Sequence, residues 1–212
     1  MELENGSKPT EPCELDETQA NCNPIELFRC WFDLAHSTNL YEPTAMTLAT
    51  VSGNGKPSAR VVLLKDFSDQ GFVFYTNYSS RKGSELAGNP YAALVFYWDQ
   101  LRLQVRIEGV VTKVSRDQSQ RYFHSRPRGS QLGALASPQS HAIKNRQVLD
   151  QKMQLLTERY RDSTVPVPEN WGGFLLAPVA MEFWQGRSDR LHDRLYYERQ
   201  ADDSWQITRL AP

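Results

Sequence analysis

The 212-residue chain contains no uninterrupted apolar run near the ~20 residues that a helical membrane span requires, so a spanning anchor is excluded. Cysteine is scarce: Cys13, Cys22 and Cys30 all fall in the first thirty positions, with no CxxC pair and no histidine at ligand spacing. That excludes a disulfide framework and a structural zinc site, and the thiols are expected to be free. His36, His124, His141 and His192 show neither HxH nor HxxxH spacing, so no metal is expected. Several nucleotide and nucleophile motifs are also missing. No GxGxxG opens a helix after a first strand, no GxSxG elbow occurs, and the GNGK string at Gly53–Lys56 lacks phosphate-loop spacing and runs directly into Pro57. The formal charge of -1 speaks against nonspecific nucleic-acid binding. The acidic N-terminus has no signal-peptide apolar core, and a cytoplasmic protein is expected.

What is present is the composition of an ordinary globular domain, 40% hydrophobic and 23% charged. Residues 1–22 hold six carboxylates against Lys8, with too little apolar surface to offset the entropy of ordering. They are expected to form a disordered acidic tail ahead of a single domain over residues 23–212. Asn23, Pro24 and Glu26 read as a helix cap, a first-turn proline and a capping-box acid. The following apolar stripe, with Phe28, Trp31 and Leu34, suits a helix laid across the open side of a sheet.

From Ala45 the period changes to two. AMTLATVS, PSARVVLLKDF and FVFYTN read as a meander of strands, followed by a short helix capped at Ser79 or Ser80. YAALVFYW and a long strand from Arg102 come next. Helices are expected in RDQSQRYFHSR and from Arg146 to about Arg161, separated by a loop through PRGSQLGALASPQS. Strands around FLLAP, MEFWQ, RLYYER and WQITRL close the chain. Short antiparallel strands without βαβ alternation predict a barrel or sandwich decorated by helices.

The cations fall in three groups. Arg60 and Lys65 bracket VVLL, and Arg81 with Lys82 begins the capped helix beyond Tyr75 and Thr76, a setting that suits a phosphate. Arg121, Arg126 and Arg128 stand beside Tyr122 and Ser130, a mixture that favours a small phosphate over a polyanion. In MEFWQGRSDRLHDRL, Arg190, His192 and Arg194 recur at a spacing of two, which on an extended segment places all three on one face. Solvated charge with Asp189 and Asp193 as partners is the alternative reading there. Gln104, Gln139 and Ser140 add neutral groups that a heterocycle can use.

Taken in order, RVVLLK, FYTNYSSRKG, YFHSRPRGSQLGA, SPQS, WGGF, EFWQGRSDRLHDR and the terminal RLAP resemble the pattern of pyridoxine/pyridoxamine 5'-phosphate oxidases, over about Glu42 to Pro212. The resemblance implies an FMN-binding split barrel, mainly β with peripheral helices and six or more antiparallel strands, forming a homodimer with flavin at the interface. It implies oxidation of pyridoxine or pyridoxamine 5'-phosphate to pyridoxal 5'-phosphate, with oxygen reduced to hydrogen peroxide. Carried over by position, Arg60, Val61, Val62, Leu63, Leu64, Lys65, Tyr75, Thr76, Arg81, Lys82, Gln104, Gln139, Ser140, Trp184 and Arg194 would hold FMN. Lys65, Tyr122, Arg126 and Ser130 would hold the substrate phosphate, and Arg190 and His192 would lie over its ring. Family members often carry an arginine and a tyrosine in an N-terminal arm that closes over substrate, and neither stands before Arg29 here. The other readings are an oxidase of the same fold acting on another reduced aromatic, such as a dihydrophenazine, and a noncatalytic FMN or pyridoxal phosphate carrier.

Overall fold

Asn23 starts the first helix, α1 (Pro24–Ser37): its side-chain oxygen accepts from the Ile25 N–H at 2.9 Å, and Pro24 needs no partner at the first helical position. The expected capping box does not form. The Asn23 N–H donates instead to Asn21 Oδ1 at 2.9 Å, and Glu26 lies 3.6 Å from Arg29, one turn on. The apolar stripe of α1 is buried as its spacing predicts. Phe28 meets Phe72 and Phe67 edge-on at 4.9 and 5.0 Å, and Trp31 meets Phe183 at 5.2 Å. Each such side chain contributes about 1.5–3 kcal/mol by leaving water, so α1 is a structural part of the core.

The computed structural model describes residues 15–18 and 20–212. Its strands are β1 (Ala45–Val51), β2 (Pro57–Leu63), β3 (Asp66–Ser68), β4 (Gly71–Asn77), β5 (Tyr91–Trp98), β6 (Leu103–Lys113), β7 (Trp171–Gln185), β8 (Asp193–Arg199) and β9 (Trp205–Arg209). All pair antiparallel in the order β2-β1-β5-β6-β7-β4-β3, with β8 on β7 and β9 on β8. The two ends of that order, β2 and β3, are joined in the chain by only Leu64 and Lys65. The sheet therefore has to curl until its edges meet: the Leu64 N–H donates to Thr44 O beside β1, and the next N–H, that of Lys65, donates to Val73 O of β4, both at 2.9 Å. RVVLLKDF, expected as one strand, is thus broken at the closure.

FLLAP and MEFWQ, expected as two strands, are one. β7 runs beside β6 from Phe174 to Gln185 but changes its other neighbour midway, pairing with β4 through Leu176 and with β8 from Ala180. Pro178, which has no N–H to give, lies at the change, opposite Gly109 of β6, where the register shifts. A Cβ on Gly109 would stand 2.1 Å from Ala177 O, so the close approach requires glycine.

Four further helices, α2 (Arg81–Gly88), α3 (Arg116–Ser125), α4 (Arg128–Ala136) and α5 (Gln147–Arg159), lie outside the sheet. The loop expected at PRGSQLGALASPQS contains α4. Gly129 and Gly133 hide its helical period, but Gln131, Leu132 and Ala136 form the buried face that holds it.

The tail boundary also needs correction. Leu15 is 2% exposed within the main core, Tyr197 donates to Asn21 O at 3.1 Å, and Arg209 donates to Leu15 O at 2.8 Å. One apolar side chain and two anchored carbonyls fasten this stretch, a cue that overall acidity conceals. The rest of the expected tail, residues 1–14 and 19, lies outside the described residues. Among the described residues no helix is long and apolar enough to cross a membrane.

Candidate active site

Beside the barrel seam lies a cavity of about 520 Å³, walled by the ends of β2 and β4, the first turn of α2, the α3–α4 pair and the start of β7. Of the residues singled out in the sequence, Val61, Val62, Leu63, Lys65, Tyr75, Thr76, Lys82, Tyr122, Arg126, Ser130 and Gln139 line it. Segments far apart in the chain meet here because closing the barrel brings β2 against β4, and β7 supplies the floor.

Two of the cations, Lys82, which is buried, and Arg126, which is half-buried, have no carboxylate partner. Ser80 caps α2 through Gly83 N, and Lys82 follows in the first turn, 8% exposed. Its Nζ reaches only neutral oxygens: Thr76 Oγ1 at 3.1 Å, Ser80 Oγ at 3.4 Å and Gln139 Oε1 at 3.5 Å. Burial pushes the Lys82 ammonium below its usual range, and the nearby Arg60 charge adds to this. On the opposite wall, the Arg126 guanidinium lies 4.8 Å over the Trp171 ring and donates from Nη2 to Ser130 O at 2.9 Å. Its Nη1 is buried with no partner within the protein. Desolvation lowers the Arg126 pKa, and burial raises that of Tyr122. A buried cation with only neutral partners is costly, and an anion at each position would remove that cost.

Arg60 and Arg81, expected among the phosphate ligands, do not line the cavity. Both bind Glu85, Arg81 at 2.9 Å and Arg60 at 3.3 Å, and Thr50 and Ser58 also donate to that carboxylate at 2.6 Å. Burial would raise the Glu85 pKa, but the four donors outweigh it and bring the value from 4.5 down to about 2. Leu64 faces the core at 3% exposure, and Ser140 is exposed with φ 69°.

The remaining predicted residues lie outside this cavity, on β6, β7 and the start of β8. Gln104 faces Trp184 in register, Trp184 faces Arg194, and the His192 ring lies 4.6 Å from that of Trp184. Arg190, His192 and Arg194 do not share one strand face. β8 begins only at Asp193, and the turn before it carries two left-handed residues, Asp189 (φ 55°) and Arg190 (φ 62°). Arg194 binds the buried Glu182 at 2.9 Å, while Asp193 takes Arg187 at 2.6 Å and Arg209 at 2.9 Å.

Sequence reasoning missed Trp171, Asn77 and Ser137 on the cavity wall. Trp171 stacks on Tyr75 at 5.6 Å, and Tyr75 stacks on Tyr122 at 3.9 Å, giving one aromatic wall. The signal was WGGF: a Cβ on Gly173 would stand 2.8 Å from Tyr75 Cε1, so glycine there lets the Tyr75 ring lie against the strand, and one on Gly172, on the other side of the strand, would stand 2.1 Å from Tyr78 Oη. Glu85 was missed because the charge pairing that makes it significant depends on the fold.

An antiparallel barrel closed beside a cationic, aromatic-walled cavity defines the class of split-barrel flavoproteins. The donor set fits FMN: Lys82, Thr76 and the capped start of α2 suit its phosphate, and Val61, Val62 and Leu63 offer an apolar ledge. Residues 32–160 match the family described as pyridoxamine 5'-phosphate oxidase, and residues 171–212 match the pyridoxine 5'-phosphate oxidase C-terminal dimerisation region. The chain is 57% identical over 198 residues to a pyridoxine/pyridoxamine 5'-phosphate oxidase of Cyanothece sp. (strain PCC 7425 / ATCC 29141), covering 93% of this chain and 92% of that protein. Among solved structures it is similar to PhzG from Burkholderia lata 383 in complex with tetrahydrophenazine-1-carboxylic acid, with a TM-score of 0.89 at 31% identity, covering 96% of this chain and all (100%) of that one. A pyridoxamine 5'-phosphate oxidase-related, FMN binding protein from Nostoc punctiforme PCC 73102 shares the fold, with a TM-score of 0.69 at 20% identity over 91% of this chain and 100% of that one. The chain belongs to the pyridoxine/pyridoxamine 5'-phosphate oxidase family, and its cofactor is FMN.

Proposed function

We propose that the chain oxidises pyridoxine 5'-phosphate and pyridoxamine 5'-phosphate to pyridoxal 5'-phosphate as a cytoplasmic homodimer, with residues 23–212 as one catalytic domain to which Leu15 and Asn21 are anchored. The observation that carries this reading is the pair of cations lining one cavity, the buried Lys82 and the half-buried Arg126 with its buried Nη1, each without a carboxylate. One phosphate of FMN and one of the substrate account for both. FMN, when bound, would supply two-electron acceptor chemistry, with oxygen as the final oxidant reduced to hydrogen peroxide and, for the amine substrate, water consumed and ammonia released.

The side chains bind and orient. Lys82, Thr76 and Gln139 hold the cofactor phosphate, while Arg60 and Arg81, fixed by Glu85, keep the region positive. Arg126, with Tyr122, Ser130 and Lys65, grips the substrate phosphate, and the Trp171–Tyr75–Tyr122 wall excludes water from that end. Gln104, Trp184, Arg190, His192 and Arg194 lie on the strands and turn at the other end of β7. Most belong to the stretch that matches a dimerisation region, which supports their completing the cavity of a second copy. Arg190 and His192 would then orient the pyridine ring and assist proton movement.

Oxygen uptake separates the readings. Rapid consumption with pyridoxine 5'-phosphate and little with pyridoxine is expected. Turnover of a dihydrophenazine in preference to the phosphorylated vitamer would make the chain an oxidase of another reduced aromatic, and FMN binding without uptake would make it a carrier.

A further inference from the structure

The turn carrying Arg190 and His192 cannot hold its shape alone, because two consecutive non-glycine residues in the left-handed region are unfavourable unless neighbouring contacts fix them. Those contacts are specific. The Gly186 N–H donates to Arg102 O at 2.9 Å, and Arg102 Nη2 returns a bond to Arg187 O at 3.0 Å. Arg187 Nε then donates to Asp193 Oδ2 at 2.6 Å, while the other oxygen of Asp193 accepts from Arg209 Nη1 at 2.9 Å. Arg209 continues to Glu17 Oε2 and to Leu15 O, both at 2.8 Å. Glu17, Arg209, Asp193 and Arg187 thus alternate in charge from the buried N-terminal anchor to the turn. Burial works to raise the Asp193 pKa, but the two arginines prevail and hold it below the usual range.

This network ends on a histidine. The backbone N–H of Arg187 donates to His192 Nδ1 at 3.1 Å. A backbone amide can only donate, so Nδ1 must accept, and the neutral ring carries its proton on Nε2. We propose that Asp193 and Arg209 are positioning residues which, braced by Glu17, hold the 186–192 turn through Arg187 and thereby fix His192 as an Nε2–H donor. The proposal rests on the reading that places His192 at the substrate ring. Half-exposed ion pairs contribute little to stability, and the role here is geometric: the network sets which nitrogen of the ring bears hydrogen and where it points.

Two measurements on the FMN-loaded protein test it. Long-range proton–nitrogen NMR, with His192 assigned by the signals missing in His192→Gln, should show the Nε2–H tautomer in the parent and a mixture of tautomers in Asp193→Asn. Asp193→Asn should also lower kcat about tenfold, with FMN content and KM near parental. Glu17→Gln, a surface change that leaves the core intact, should move both readouts in the same direction by about twofold. Arg187→Lys should recover most of what Arg187→Leu loses. Parental tautomer and kcat in Asp193→Asn and Glu17→Gln would overturn the proposal. Because the NMR measurement needs no turnover, a parent that fails to oxidise pyridoxine 5'-phosphate would count against the proposed function, while the tautomer still decides the positioning.

Discussion

Replacing Lys82 with methionine keeps an unbranched side chain, one heavy atom shorter, and removes its charge, at a position only 8% exposed. Two effects of opposite sign follow. In the FMN-free protein the ammonium is desolvated and meets only Thr76, Ser80 and Gln139 oxygens at 3.1–3.5 Å, so an apolar side chain relieves a cost. The apoprotein should gain about 1 kcal/mol, or roughly 2–4 °C in Tm for a chain of this size. With FMN, the same change removes a charge-assisted bond to phosphate of about 1.5–3 kcal/mol, equivalent to a roughly 10- to 150-fold higher Kd. Titrating apoprotein with FMN by fluorescence quenching, alongside thermal melts without flavin, reads both. A variant that binds FMN as tightly as the parent would show that the phosphate lies elsewhere. A destabilised apoprotein would show that Lys82 is part of the fold's own bonding.

Arg126→Ala should raise KM for pyridoxine 5'-phosphate tenfold or more, at about 1.5–3 kcal/mol for a lost charged hydrogen bond, and leave FMN affinity nearly unchanged; steady-state kinetics beside a flavin titration checks the separation. Leu15→Ala should cost about 2–4 kcal/mol in urea unfolding because the side chain is 2% exposed in the core, whereas a residue in a loose tail would cost nothing. Glu85 contributes stability that is fully present above its unfolded value of 4.5 and is lost as pH falls toward about 2. Glu85→Gln should flatten the acid limb of the stability profile in that window, measured by denaturant melts at each pH.

Local patterns were legible where one chemical rule governs them. Asn23–Pro24 announced α1, the two-residue period announced the strands, and the string SSRK announced a capped helix start beside a strand end. What could not be read was set by closure of the barrel. The break between β2 and β3 exists because the sheet edges meet there, and the partner change within β7 depends on Pro178 facing a glycine of another strand. Counting cations in the sequence placed Arg60, Lys65, Arg81 and Lys82 together, but only the fold brings Glu85 under two of them and leaves Lys82 uncompensated. Likewise, alternation suggested one strand face for Arg190, His192 and Arg194, and two left-handed residues undo it. Leu15 escaped notice because composition averages over a segment, while a single buried side chain is enough to anchor one.

On the proposed function, one cavity holds two phosphates, one at Lys82 and one at Arg126. A crystal structure of the protein with FMN and pyridoxal 5'-phosphate measures this directly. The flavin phosphate is expected at Lys82, Thr76 and the start of α2, and the vitamer phosphate on Arg126, Tyr122 and Ser130, with the aromatic wall between them and solvent. Either phosphate bound outside this cavity, or Arg126 Nη1 still without a partner when both molecules are present, would contradict it.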